Sequence, residues 1–290
     1  VEKLKVGVLH PGKMGIFVAA CVQENGHSVY WASEGRSQQT RKRAEEHHLH
    51  DAGRLATLCE TCRVIVSVCP PHAAEKVAEQ VMEQSFQGQY LDLNAISPQK
   101  AVGISQKMKR KGIAFVDGSI IGGPAWEQGK THLYLSGENA PPAADLFAIG
   151  SMEARVIGDR IGPASALKMC YSAYTKGSTA LLCAILAAAQ TLGVREELEG
   201  QWSLDWPGFA DETRERVRKV TAKAWRFAGE MEEIAMTFED AGLPGEFYSA
   251  ATEIYQRLAG YKQAPSAPGL EDVLGALIHL PGNHDAITNP

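Results

Sequence analysis

Short apolar runs alternate with longer stretches of helical periodicity through the first half of the chain, and helical periodicity alone follows. The runs Lys5–His10, Ser28–Ala32, Val64–Cys69, Tyr90–Leu93 and Ala114–Asp117 are brief and rich in aliphatic and aromatic residues, which predicts strands. Between them, Met14–Asn25, Ala73–Glu83 and Pro98–Lys111 carry apolar positions at the spacing of one helix face, and Ser37–His48 is a polar run without Gly or Pro, which predicts helices. Repeated strand–helix–strand units of this kind build a parallel sheet covered by helices. Two further runs, near His132–Ser136 and Arg155–Ile157, predict an antiparallel pair.

After Gly162-Pro163 the strand signals stop. Ala164–Leu192, Glu212–Ala241, Glu246–Ala259 and Leu270–Leu280 read as helices, with Pro207, Pro244, Pro265 and Pro268 between them, where a missing N–H does least harm. The expected architecture is an α/β Rossmann domain with a doubly wound, mostly parallel sheet over residues 1–161, then an all-α domain over residues 162–290. A chain of 290 residues exceeds the size at which one core usually stops growing, which agrees with two domains. The helix from Ala164 carries Leu181, Leu182, Ile185 and Leu186 and leaves little polar face. The C-terminal helices can cover part of it and a second copy of the chain the remainder, which predicts a homodimer.

Composition narrows the function. Hydrophobic residues at 44% and charged residues at 22% fit a globular protein with a full core. The net charge of −5, and the offset of Arg41-Lys42-Arg43 by Glu45 and Glu46, leave no footprint for nucleic acid. Cys59 and Cys62 have no second cysteine pair, and His279 and His284 have no partner at ligand spacing, so no metal site is expected. Scattered thiols suit a reducing compartment, and the first strand begins too early for a signal segment, which predicts a cytoplasmic protein. The longest apolar stretch, Ala180–Ala189, is about half of the ~20 residues that a membrane span requires.

Chemistry enters at the first strand–helix junction, His10-Pro11-Gly12-Lys13-Met14-Gly15. A dinucleotide turn uses one glycine to turn, a second for close approach of the pyrophosphate and a third for helix–strand packing. His10 replaces the first, while Gly12 and Gly15 keep the other two roles, with Lys13 and Met14 opening a helix whose N–H groups face the anion. At the end of the second strand an acid would select NAD. Ser33 stands there, and Arg36 and Ser37 could clamp a 2′-phosphate, which favours NADP; Glu34, one residue on, keeps NAD open.

Several segments together resemble the β-hydroxyacid dehydrogenases, relatives of 6-phosphogluconate dehydrogenase, in a branch with a compact helical C-terminal domain. They are Gly12-Lys13-Met14-Gly15, Val68-Cys69-Pro70-Pro71, Leu91 to Pro98 with Asn94, Asp117 to Gly123, and Gly162 to Ser172. The resemblance implies that Cys69, Pro70, Pro71 and Asn94 border the cofactor, and that Ser119, Gly122 and Gly123 receive the substrate carboxylate, with Ile121 where a serine is usual. It implies Lys168 as the general acid and base, with Tyr171 and Ser172 on its helix face and Glu230 as a pocket-closing acid. The implied reaction is hydride transfer between a nicotinamide and a small hydroxy acid or its carbonyl form. An imine reductase and a non-catalytic NADP-binding redox sensor are the alternatives. Trp126, Trp202, Trp206, Trp225 and Phe247 suggest a roomy apolar cleft for the substrate.

Overall fold

In the computed structural model, which describes residues 3–278, the runs of the first half form a single sheet. Its strands are β1 (Lys5–Val8), β2 (Ser28–Trp31), β3 (His50–Asp51), β4 (Val64–Ser67), β5 (Gln89–Asp92), β6 (Ala114–Ile121), β7 (Thr131–Ser136) and β8 (Met152–Gly158), ordered β3-β2-β1-β4-β5-β6-β7-β8. From β3 to β6 every pairing is parallel. The chain runs outward from β1 to β3 and resumes at β4 on the other side of β1, so a topological switch point lies between β1 and β4. Ligands of such sheets bind outside the C-terminal strand ends at that point.

Helices α1 (Lys13–Glu24), α2 (Gln38–Glu46), α3 (Leu55–Thr61), α4 (Ala74–Met82), α5 (Pro98–Arg110) and α6 (Ala140–Ala144) flank the sheet. One core joins Phe17, Val18 and Val22 of α1 and Ala44 of α2 to Val6, Val8, Val64, Val66 and Val116. The opposite core joins Leu58 of α3, Val77 and Val81 of α4, and Ile104 and Met108 of α5 to Ile65, Tyr90 and Phe115. Within β4, Val64 and Val66 enter one core and Ile65 the other, as the two-residue period of a strand requires. Each such fully buried aliphatic side chain contributes about 1.5–3 kcal/mol.

The expected pairing of 132–136 with 155–157 is right in place and wrong in direction. β7 is antiparallel to β6, but β7 and β8 run parallel. A parallel pair needs a crossover, and α6 with the 3-10 turn Asp145–Phe147 supplies it. The sequence Ala140-Pro141-Pro142-Ala143 hides that helix, because its prolines read as loop although they occupy the first helical turn, where proline is tolerated.

The chain divides into two units, Val1–Met169 and Cys170–Pro290, and the division falls inside α7 (Pro163–Thr191). The second unit continues with α8 (Arg195–Asp205), α9 (Phe209–Asp240), α10 (Glu246–Arg257) and α11 (Leu270–Ile278). Val217, Ala224, Met231 and Ile234 of α9, Tyr255 of α10, and Val273, Leu274 and Leu277 of α11 are buried and form its core. The last expected helix extends to Leu280, and residues 279 and 280, like His284, lie outside the described residues. Helix α8 buries none of its residues and so shows no apolar stripe to read. Among the described residues, no helix is long and apolar enough to cross a membrane, and no His/Cys/Asp/Glu group could hold a metal.

Candidate functional site

The turn after β1 is tight for one glycine and open for the other. A Cβ on Gly15 would stand 2.0 Å from the His10 carbonyl oxygen, so α1 can approach β1 this closely only with glycine there. Gly12, by contrast, sits at φ −71° and ψ −169°, a conformation any residue adopts, and a Cβ there would meet nothing within 4 Å. Gly12 is also the N-cap of α1 and brings no side chain to the first-turn N–H groups, which leaves Lys13 and Met14 at an uncapped, positively polarised helix end. Open space above a glycine and uncapped donors are what an incoming pyrophosphate requires. Arg43 braces the turn from behind, donating to the Pro11 carbonyl at 3.0 Å.

The loop after β2 turns Arg36 inward. Arg41 donates to the Ser33 carbonyl at 2.7 Å and Ser37 caps α2 by accepting from Thr40 N, which fixes the loop. Ser33 is buried, Ser37 accepts from the first turn of α2, and Arg36 lines the crevice. Arg36 and His10 border one cavity of about 320 Å³, with Leu9, Leu55, Val77 and Val81 as its apolar wall. Burial holds the Arg36 pKa below the usual arginine value, and its charge acts on both His10 and Cys69. His10 is pushed down to about 4, by burial first and by Arg36 second. Its Nδ1, like Arg36 Nε, is buried without a hydrogen-bond partner among the described residues. Two orphaned polar atoms at the switch point fit a bound anion. The sequence reading passed over His10 as a lost glycine.

After β4, Asn94 holds the Cys69-Pro70-Pro71 loop. Its Oδ1 accepts from Cys69 N at 2.6 Å and its Nδ2 donates to Ser67 Oγ at 3.1 Å. Asn94 is buried. The Cys69 thiol is pushed up to about 12, chiefly by burial and then by Asp92, which keeps it protonated and poorly nucleophilic.

At the far end of the parallel strands, β6 and α7 bring the candidate chemistry together. Asp117 Oδ2 accepts from Gly162 N at 2.9 Å, Ser165 N at 3.1 Å and Ser136 Oγ at 2.9 Å, while Oδ1 accepts from Ser165 Oγ at 2.6 Å. Ser136 Oγ in turn accepts from Ala164 N at 3.0 Å. A buried carboxylate from mid-strand therefore caps the start of α7 and fixes it against the sheet. About one turn on, Lys168 Nζ donates to the Ile120 carbonyl at 2.7 Å. That carbonyl lies at the C-terminal end of β6, on the edge that carries the Gly12 turn and the Cys69 loop. Three strand steps of about 4.8 Å, roughly 14 Å in all, separate β1 from β6.

Ser119, Gly122 and Gly123 flank the Ile120 carbonyl. Ser119 Oγ is buried without a hydrogen-bond partner among the described residues, on the strand face of Asp117. Gly122 has φ +112°, and a Cβ there would lie 2.5 Å from the Lys130 carbonyl, so the exit from β6 demands glycine. Asp117, Ser136 and Ser165 were not singled out in the sequence, although a charged residue inside an apolar strand was a legible signal.

The other expected site residues belong to the second unit. Lys176 forms a close ion pair with Glu230, with side-chain exposures of 13% and 11%, and approaches Ser172 Oγ at 3.4 Å. Its ammonium lies 4.7 Å from the Phe227 ring centroid, and Tyr255 donates to the Lys176 carbonyl at 2.7 Å. Ser172 and Glu230 are thus joined through Lys176, while Tyr171 is exposed. Trp126 packs on Phe17 and His47 in the first unit; in the second, Trp202 and Trp206 meet Phe209, Trp225 lies under Lys262 and Phe247 meets Tyr248.

The NAD binding domain of 6-phosphogluconate dehydrogenase matches residues 5–144, and a domain of unknown function, DUF1932, matches residues 189–258. An uncharacterized 28.5 kDa protein in the 7S RNA 5′ region of Methanothermus fervidus is 32% identical over 57% of this chain, and the match spans 63% of that protein's length. A conserved protein whose structure shows similarity with 3-hydroxyacid dehydrogenases is 26% identical, with 89% of this chain and 97% of that one covered and a TM-score of 0.67. The 3-hydroxyisobutyrate dehydrogenase of Mycobacterium tuberculosis shares the fold at 16% identity, covering 95% of this chain and 99% of its own, with a TM-score of 0.68. Reductive aminases and imine reductases also share the fold. The chain thus pairs a nucleotide-binding domain that matches the NAD binding domain of 6-phosphogluconate dehydrogenase with a DUF1932 domain.

Proposed function

We propose that the chain is an NADP-preferring oxidoreductase acting on a small hydroxy acid or its carbonyl form, with Lys168 as general acid and base. The observation that carries this reading is the 2.7 Å bond between Lys168 Nζ and the Ile120 carbonyl. It holds an amine at the C-terminal rim of the sheet, beside the Ser119–Gly123 segment. Bound cofactor supplies or accepts the hydride. Lys168 donates a proton to the substrate oxygen during reduction and withdraws it during oxidation. Ser119 and the backbone N–H groups of Gly122 and Gly123 receive the substrate carboxylate, and Asp117 keeps α7 and its lysine in register. Gly12, Lys13 and Met14 hold the pyrophosphate, and Arg36 meets the 2′-phosphate. Glu34, exposed on the rim of the same cavity, is the residue that would select NAD instead.

Consumption of NADPH and NADH with a panel of keto acids and imines, for wild type and Lys168→Ala, tests the assignment. Loss of a general acid lowers kcat by about 10²–10⁴-fold. Equal turnover by the variant on every active substrate would remove Lys168 from the mechanism, and turnover of imines alone would favour the reductase of C=N bonds. We further propose a cytoplasmic homodimer. The cysteines are free, which suits a reducing compartment, and α7 exposes Tyr171, Tyr174 and Leu181 in a helical row that a second copy would cover.

A further inference from the structure

The residue at the first glycine position of the dinucleotide turn is not a passive replacement. Among the described residues His48 alone has a positive φ without being glycine, so His10 occupies its place with ordinary backbone geometry and its imidazole is available for another role. That imidazole borders the cavity of about 320 Å³ together with Arg36. His10 Nδ1 and Arg36 Nε are both buried and both lack a hydrogen-bond partner among the described residues. Two unsatisfied nitrogen-bearing groups fronting one cavity are costly unless an acceptor joins them.

We propose that His10 and Arg36 together seat a phosphate monoester dianion, the 2′-phosphate of the cofactor, and that His10 is a specificity-determining residue for NADPH over NADH. This rests on the NADP reading above and adds to it a residue that the usual glycine could not supply. The charged residues that line this cavity with His10 are Arg36 and Glu34 from the loop after β2 and Glu83 from the turn after α4, and Cys69 from the loop after β4 acts on Arg36. Burial and the Arg36 charge hold His10 neutral at pH 7, with its pKa down at about 4. A dianion placed between the two side chains favours the imidazolium, so binding draws a proton onto His10, and the advantage of the phosphorylated cofactor grows as pH falls.

The test titrates the full chain calorimetrically with NADPH, NADH, 2′-AMP and 5′-AMP between pH 5.5 and 8.5, in two buffers of different ionisation enthalpy. Wild type, His10→Gly and His10→Asn are compared, with Arg36→Ala as the reference. The expected result is that His10→Gly, which restores the ordinary turn residue, weakens NADPH and 2′-AMP by about tenfold or more and leaves NADH and 5′-AMP unchanged. Proton uptake on NADPH binding should fall in the same variant. The free phosphate's second ionisation, near pH 6, is common to all titrations, and above about pH 7.5, where the phosphate is a dianion both free and bound, the difference between wild type and variant reads His10. An unchanged NADPH-to-NADH ratio and unchanged proton uptake in both His10 variants overturn the proposal while leaving Arg36 and the NADP reading standing. Absence of any phosphate preference in wild type overturns the NADP reading, and this proposal with it. If His10→Gly unfolds, His10→Asn gives the same comparison.

Discussion

Asp117 is the residue whose removal should cost the first unit most. In Asp117→Ala, Gly162 N, Ser165 N, Ser165 Oγ and Ser136 Oγ all lose their acceptor at once. Hydrogen bonds to a charged group contribute about 1.5–3 kcal/mol each, and loss of a helix cap alone costs about 0.5–2 kcal/mol. The four do not add fully, because water and a shifted Ser136 recover part of the loss. Buried donors left without an acceptor cost about 1–3 kcal/mol each, so a total of roughly 3–5 kcal/mol is expected after partial recovery. Urea denaturation followed by circular dichroism should show that drop. Asp117→Asn keeps one carbonyl oxygen for the two backbone donors and should cost about half as much. Because Lys168 lies one turn beyond Ser165, the folded Asn variant should also lose kcat while NADPH affinity stays near that of wild type. A destabilisation below about 1 kcal/mol for the Ala variant would refute the view that this carboxylate anchors α7.

In the second unit, Glu230→Ala removes one carboxylate from the surroundings of the largely buried Lys176 ammonium and should destabilise by about 1.5–3 kcal/mol, the range of a hydrogen bond to a charged group, with Lys176→Met/Glu230→Leu recovering part of it. If Glu230→Ala instead keeps its stability and loses only substrate affinity, Glu230 is a ligand residue and the pairing is incidental. Tyr174→Glu, on the exposed row of α7, should turn a homodimer into monomers in sedimentation velocity; wild type that sediments as a monomer removes the dimer proposal.

The parts of the fold that follow from apolar period were legible. The βα rhythm gave β1, β2, β4, β5 and β6 within a few residues, and the long apolar helices α7 and α9 stood out because each has a face to bury. Strand direction was not legible. The pattern of β7 and β8 is the same whichever way they run, and their direction depends on a crossover concealed by two prolines. Likewise, Gly12 and Gly15 are legible from residue type and spacing, whereas Lys168 and Gly122 are singled out by the family resemblance. The link between Asp117 and α7 joins residues 45 and 48 positions apart, a closure that no local pattern records. His10 was hidden for a different reason: it looked like the loss of a feature, and only its burial beside Arg36 shows a gain.

The two glycines of the first turn answer to different masters. Gly15 is dictated by the protein's own backbone, whereas Gly12 answers to nothing within the chain, since its torsion angles and its surroundings would accept a methyl group. If Gly12 receives the pyrophosphate as proposed, folding and cofactor capture are separable within one short loop. On the proposed role of Gly12, a side chain there would yield a sound fold that no longer holds a dinucleotide, a control against which the consequences of losing cofactor binding alone could be measured.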